Sequence, residues 1–248
     1  LGVAAADRPQ RQGGLRQVLR RQGGLHLQSV VSPLRQLAEG RLRLRQPLGR
    51  GAGRYPAEVD VSIRPSWGYV EGEEKQLYSL ETLLYMYEKA VGGNATLLLN
   101  VPPNKEGLFD LEDVERLAEL GKAIRGLFSR PQTTGAKAFQ KNGSNAEAIL
   151  DADRTHFVEL AGECQEIEIQ LQGEHTIDFI VLKETIEKGQ RVEKFAVDIW
   201  REDYQATTIG YQRFGRIEPV QTERVRVRIL ESRGTVYLTE IGLYHTEK

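Results

Sequence analysis

The sequence predicts an α/β segment followed by an all-β domain, and three observations carry that reading. Between residues 55 and 128 a strand, a helix, a buried strand and a second helix follow one another, the βαβα order of a parallel sheet. From about residue 136 the helical period disappears and short alternating strands replace it, as in an antiparallel β-sandwich. Between them, SRPQTTG (129–135) reads as a linker.

The α/β part begins at Tyr55. VDVSI alternates apolar with polar residues and predicts a strand, which Pro65 stops. Ser79 is placed to cap a helix, and Leu80, Leu83, Leu84, Tyr87 and Val91 follow at helical spacing on one apolar stripe. Gly92-Gly93 ends it. ATLLLNV is a continuous apolar run bounded by Gly and Pro, the pattern of a strand covered on both faces. Asp110 then caps a second helix, with Leu111, Val114, Leu117, Ala118 and Ile124 on its predicted buried stripe.

In the all-β part, Ile167, Ile169 and Leu171 alternate with polar residues, as do Phe195, Val197 and Ile199. Val225, Val227 and Ile229 face away from Arg224, Arg226 and Arg228. FIVLKE and TVYLTEIGLY add two strands, and turn signals at QGEH, EKGQR and SRG separate these elements.

Residues 1–54 belong to neither pattern. They hold eleven arginines, no lysine and only Asp7 and Glu39 as acids, whereas the other 194 residues carry 23 bases and 33 acids. Nine of the 54 are glycine, RQGGL occurs twice, and aromatics are absent. Such a stretch buries too little surface to offset its ordering entropy, so it reads as disorder or as a coding sequence translated out of frame. A basic arm for nucleic acid is the rival reading, but it lacks aromatics for base stacking and any known nucleic-acid motif.

The whole chain of 248 residues has a net charge of −1 and 40% hydrophobic residues, a globular composition with no run of roughly 20 apolar residues for a membrane span. LGVAAADRPQRQGG has too short an apolar run for a signal peptide, and its first residue is Leu, as in a fragment. Cys164 is the single cysteine, which leaves no intrachain disulfide and no thiol metal site.

With the elements placed, PAEVDVSIRPSWGY, NATLLLNVPPNKEGLF and the tail containing DADRTHFVEL and LTEIGLY resemble α-L-fucosidases of glycoside hydrolase family 29, over residues 55–248 and not over 1–54. The resemblance implies four segments: 1–54, outside the match; 55–128, the C-terminal end of an incomplete (β/α) barrel; 129–135, the linker; and 136–248, a β-sandwich of the galactose-binding, discoidin-like kind. It implies hydrolysis of terminal α-L-fucose from a fucosylated glycan with retention, without cofactor or metal. Retention needs two carboxyl groups about 5–5.5 Å apart. The family's nucleophile lies in a Trp-Phe-Asp-Gly-like stretch, which is missing here, because the only tryptophans are Trp67 and Trp200. The fragment alone is therefore expected to be inactive. A carbohydrate-binding module without catalysis is the alternative.

The candidate site residues follow from the same match. Glu58 corresponds to the acid/base of one branch of the family; in the other branch it would be a substrate contact or a supporting carboxylate near the barrel rim. Trp67 offers an indole face to the C6-methyl side of fucose, or closes the barrel end as a core aromatic. Arg64 either steers a sugar hydroxyl or pairs with a carboxylate such as Glu58. Asp60 is a structural hydrogen-bonding residue by default. Asn100 and Asn104 bracket VPP as a rigid turn beside the pocket, His156 lies on a sandwich loop, and the Arg224, Arg226 and Arg228 row is expected to meet acids on neighbouring strands rather than nucleic acid.

Overall fold

A computed structural model describes residues 57–72, 76–162, 165–199 and 202–246. The expectations for residues 1–54, Tyr55, Cys164 and Trp200 lie outside them. The α/β part consists of β1 (Ala57–Ser62), α1 (Leu80–Val91), β2 (Ala95–Asn100) and α2 (Leu111–Leu127). β1 and β2 pair in parallel, in a register that sets Ala57 opposite Ala95 and Ser62 opposite Asn100. The period-2 alternation of β1 turns Val59 and Val61 into a core with Leu83, Met86, Ala90 and Leu120, and leaves Glu58 and Asp60 exposed.

The predicted caps explain the ends of α1. The Ser79 hydroxyl accepts a hydrogen bond from the Thr82 N–H at 3.2 Å. At the other end Gly92 is required by close approach: a Cβ there would lie 2.4 Å from the Glu88 carbonyl and 2.6 Å from Phe214.

Two expectations about burial are corrected. Among the described residues β2 is covered on one face only, because both helices lie on the same side; Leu97 and Leu99 pack against the core while Leu98 is 48% exposed. On α2 the predicted stripe is rotated. Leu111 is 69% exposed and Val114 and Ala118 are also exposed, and the buried side runs through Asp113, Leu117, Leu120, Ile124 and Leu127. The buried carboxylate of Asp113, which an apolar stripe omits, displaced the expected phase. Asp110 does occupy the N-cap position, but its side chain makes no capping bond; it accepts from Asn104 Nδ2 at 3.1 Å instead.

The remainder is a seven-stranded antiparallel sheet built from β3 (Lys137–Gln140), β4 (Val158–Leu160), β5 (Glu166–Glu184), β6 (Val192–Asp198), β7 (Glu202–Ala206), β8 (Arg213–Ser232) and β9 (Val236–Tyr244). Its order is β4-β9-β5-β8-β6-β7, with β3 also on β5. The QGEH signal at residues 172–175 is not a turn between strands: β5 runs through it, and its register on β8 shifts between Gln170 and His175 and again between Ile177 and Phe179. Gly173, with φ of +95°, supplies the conformation that this irregularity needs. One core gathers Ile167, Ile169, Phe195, Val225 and Val227 together with Ile180, Leu182, Leu238 and Leu243.

Segment 129–135 is tied down rather than free. Gln132 N–H donates to the Leu243 carbonyl at 2.8 Å, and its side chain meets His175 Nδ1 at 2.8 Å. A third apolar cluster joins the two parts, packing Tyr87, Val91, Leu127 and Phe128 against Phe179, Val181, Phe214 and Tyr244. Asn94, just before β2, completes the junction: its Nδ2 donates to the Ile209 carbonyl and its Oδ1 accepts from the Gln212 N–H, both at 2.9 Å.

Candidate functional site

The parallel register places the last residues of β1 and β2, Ser62 and Asn100, side by side. In α/β folds ligands gather at the carboxyl ends of parallel strands, so this is where a site is sought. The loop leaving β1 passes over that end. Ser62 Oγ donates to the Ser66 carbonyl at 2.9 Å, and Asn100 Nδ2 donates to the Trp67 carbonyl at 2.9 Å and to Ser62 Oγ at 3.1 Å. Trp67 is 43% exposed, an indole set on a loop whose backbone is held from below. The equivalent turn after β2 is stiffened by Asn104, whose Oδ1 accepts from the N–H groups of Glu106 and Leu108.

Arg64 lies inside the fold, with no exposed side-chain surface. Its guanidinium pairs with Asp113, which is likewise fully buried, and sits 3.9 Å from Asp110. Its visible role is to fasten the end of β1 to the first turn of α2. Glu58 is at the other end of the strand. It shares the open face with Asp60 and Ser62, but stands four residues before Ser62, roughly 13 Å at the usual strand rise. The structure thus brings together Trp67, Ser62 and Asn100, and leaves Glu58 apart from them. In the sequence Asn100 reads only as one end of the VPP turn. The signal that it does more was available in the shared strand-end register, but reading it required knowing that β1 and β2 are neighbours.

On the antiparallel part, Asp151 Oδ2 meets His156 Nδ1 at 2.7 Å on an exposed loop, and the bond raises the imidazole pKa and lowers that of Asp151. Among the described residues no group of three or more His, Cys, Asp or Glu is arranged to hold a metal ion, and no helix is long and apolar enough to cross a membrane. The arginine row meets acids across the sheet as expected: Arg224 with Glu168 at 3.5 Å, Arg226 with Glu166 at 3.3 Å, and Arg228 with both oxygens of Asp198 at 2.6 and 2.9 Å.

Residues 48–125 match the family model described as Alpha-L-fucosidase. A rice (Oryza sativa subsp. japonica) protein named as an α-L-fucosidase is 31% identical over 204 residues, which is 76% of this chain and 39% of that protein. The solved structure of SpGH29 superposes with a TM-score of 0.74 at 35% identity, covering 80% of this chain and 46% of its own. A Ruminococcus gnavus GH29 fucosidase in complex with fucose superposes with a TM-score of 0.71 at 25% identity, covering 80% and 43%. These likenesses are all to glycoside hydrolases. More narrowly, the chain belongs to the α-L-fucosidase family, glycoside hydrolase family 29, and it spans less than half the length of those relatives.

Proposed function

We propose that this chain is the C-terminal portion of a retaining α-L-fucosidase acting on terminal α-L-fucose of glycans: the last units of a (β/α) barrel followed by a β-sandwich accessory domain. The observation that carries it is the parallel β1–β2 pair, matched by the family model, with helices on one face and an exposed indole at the carboxyl ends. The open opposite face, where Leu98 lies 48% exposed, suits the inward wall of a barrel whose other strands are not in this chain. Trp67 is the residue that would meet the C6-methyl side of the sugar. Arg64 supports the loop from within. The depth of Glu58 in the strand favours the supporting carboxylate over the proton donor, since barrel chemistry sits at the strand ends.

In this reading the chain alone lacks the nucleophile and does not turn over substrate. The test is a chimera in which residues 57–246 replace the matching part of SpGH29. It should hydrolyse an aryl α-L-fucoside and release the α-anomer first. A folded chimera that is inactive or inverting, or nucleophile-dependent turnover by the 248-residue chain alone, would overturn the proposal.

A further inference from the structure

We infer that Asn100, directly and with Ser62 holding the preceding residue, is a positioning residue for Trp67, so that the end of one strand sets the indole carried by the loop of its neighbour. This rests on the reading of Trp67 as part of the fucose pocket. A tryptophan on an exposed loop serves recognition only if its backbone is fixed beforehand; otherwise ordering it is a cost of binding. The loop has three fixed points. Arg64 is buried at its start against Asp113. The Ser66 carbonyl accepts from Ser62 Oγ and the Trp67 carbonyl from Asn100 Nδ2, each at 2.9 Å.

Asn100 is suited to this task because a carboxamide nitrogen carries two hydrogens. Both have acceptors here, the Trp67 carbonyl at 2.9 Å and Ser62 Oγ at 3.1 Å. Ser62 in turn passes its own hydrogen to Ser66, giving a chain Asn100–Ser62–Ser66 that runs from β2 across β1 into the loop. With both N–H groups engaged, Asn100 has no donor left for a sugar and acts through Trp67. The register that sets Ser62 opposite Asn100 is what makes the chain possible.

The experiment uses the full chain with Trp200→Phe, leaving Trp67 as the single indole; if that variant does not fold, fluorotryptophan NMR of the unsubstituted chain supplies the same signal. Acrylamide quenching of Trp67 reads the tether without sugar. Titration of the SpGH29 chimera carrying the same substitutions with L-fucose, and with L-galactose, which has a hydroxymethyl where fucose has a methyl, reads the pocket wall. Asn100→Ala and Asn100→Asp, which keeps the size but removes both donors, should raise the quenching and weaken L-fucose binding about tenfold, with a smaller preference over L-galactose. Asn94→Ala, at the opposite end of β2, should change neither. Quenching unchanged in both Asn100 variants, or raised equally by Asn94→Ala, overturns the inference. Raised quenching in the chain with unchanged L-fucose affinity in the chimera supports the tether and overturns the pocket reading of Trp67.

Discussion

Arg64 and Asp113 form an ion pair in which neither side chain has exposed surface, 49 residues apart in the chain. It fastens the end of β1 to the first turn of α2, directly beneath the loop that carries Trp67. Removing two charges from water is costly, and such a pair is tolerated only because each partner compensates the other.

Breaking that pair from one side should therefore be worse than removing it. Arg64→Met leaves the Asp113 carboxylate buried without its partner and should cost about 3–5 kcal/mol in urea denaturation at neutral pH. The double variant Arg64→Met/Asp113→Leu should recover much of the loss. A double variant less stable than either single one would contradict the account.

Asn94 joins the α/β part to the loop before β8. Its φ of +69° suits glycine, so Asn94→Gly removes the two side-chain hydrogen bonds while keeping the backbone shape. Thermal or urea unfolding should show a loss of about 1–3 kcal/mol. Gly210→Ala would put a Cβ 2.5 Å from Asn94 Oδ1, on a backbone whose φ is +64°. Its penalty should shrink in the Asn94→Gly background, a non-additivity expected of residues in contact.

In the SpGH29 chimera the roles of Glu58 and Trp67 separate by magnitude. A general acid is worth about 10²–10⁴-fold in rate, so Glu58→Gln should lower kcat by less than about tenfold if the carboxylate only supports the wall. Trp67→Ala should lower kcat/KM about 10–100-fold by removing an apolar contact to the sugar. A loss near 10³-fold for Glu58→Gln, recovered by adding azide, would restore it as the acid/base.

The exposed Asp151–His156 contact should depend on pH at both ends. Asp151 has a lowered pKa and His156 a raised one, the first cause in each case being the hydrogen bond between them. Its contribution is present in full between the ordinary carboxylate value of about 4 and the ordinary imidazole value of about 6.5. It fades as pH falls through the folded Asp151 pKa and as pH rises through the folded His156 pKa. An NMR titration should place the His156 midpoint above about 6.5, and Asp151→Asn should bring it down. A midpoint unchanged by that substitution would mean that the pair does not form in solution.

Much of this architecture was legible because it is written in local period. The alternation of Val59 and Val61, the Ser79 cap, the inward row Val225, Val227 and Ile229, and the outward arginines all follow from neighbours two to four residues apart. The arginines even had their acids in view on adjoining strands. The site was less legible. Trp67 and Arg64 share one motif, yet one ends at the surface and the other in the interior, a division that depends on Asp113 in the next helix.

The sequence by itself determined the order of the α/β elements, the N-cap positions of their helices, which side of each alternating strand is apolar, and the resemblance that places the chain in its family. Only the tertiary structure decided that β2 keeps one face open, that α2 buries Asp113 in place of Leu111, that β5 continues through QGEH, and that Asn100 reaches the Trp67 loop. The physical reason is one of range. Periodicity and capping are settled within a few residues along the chain, whereas a buried charge, an open face or a strand-end tether takes its partner from a distant segment, and that partner exists only once the packing has brought the two together.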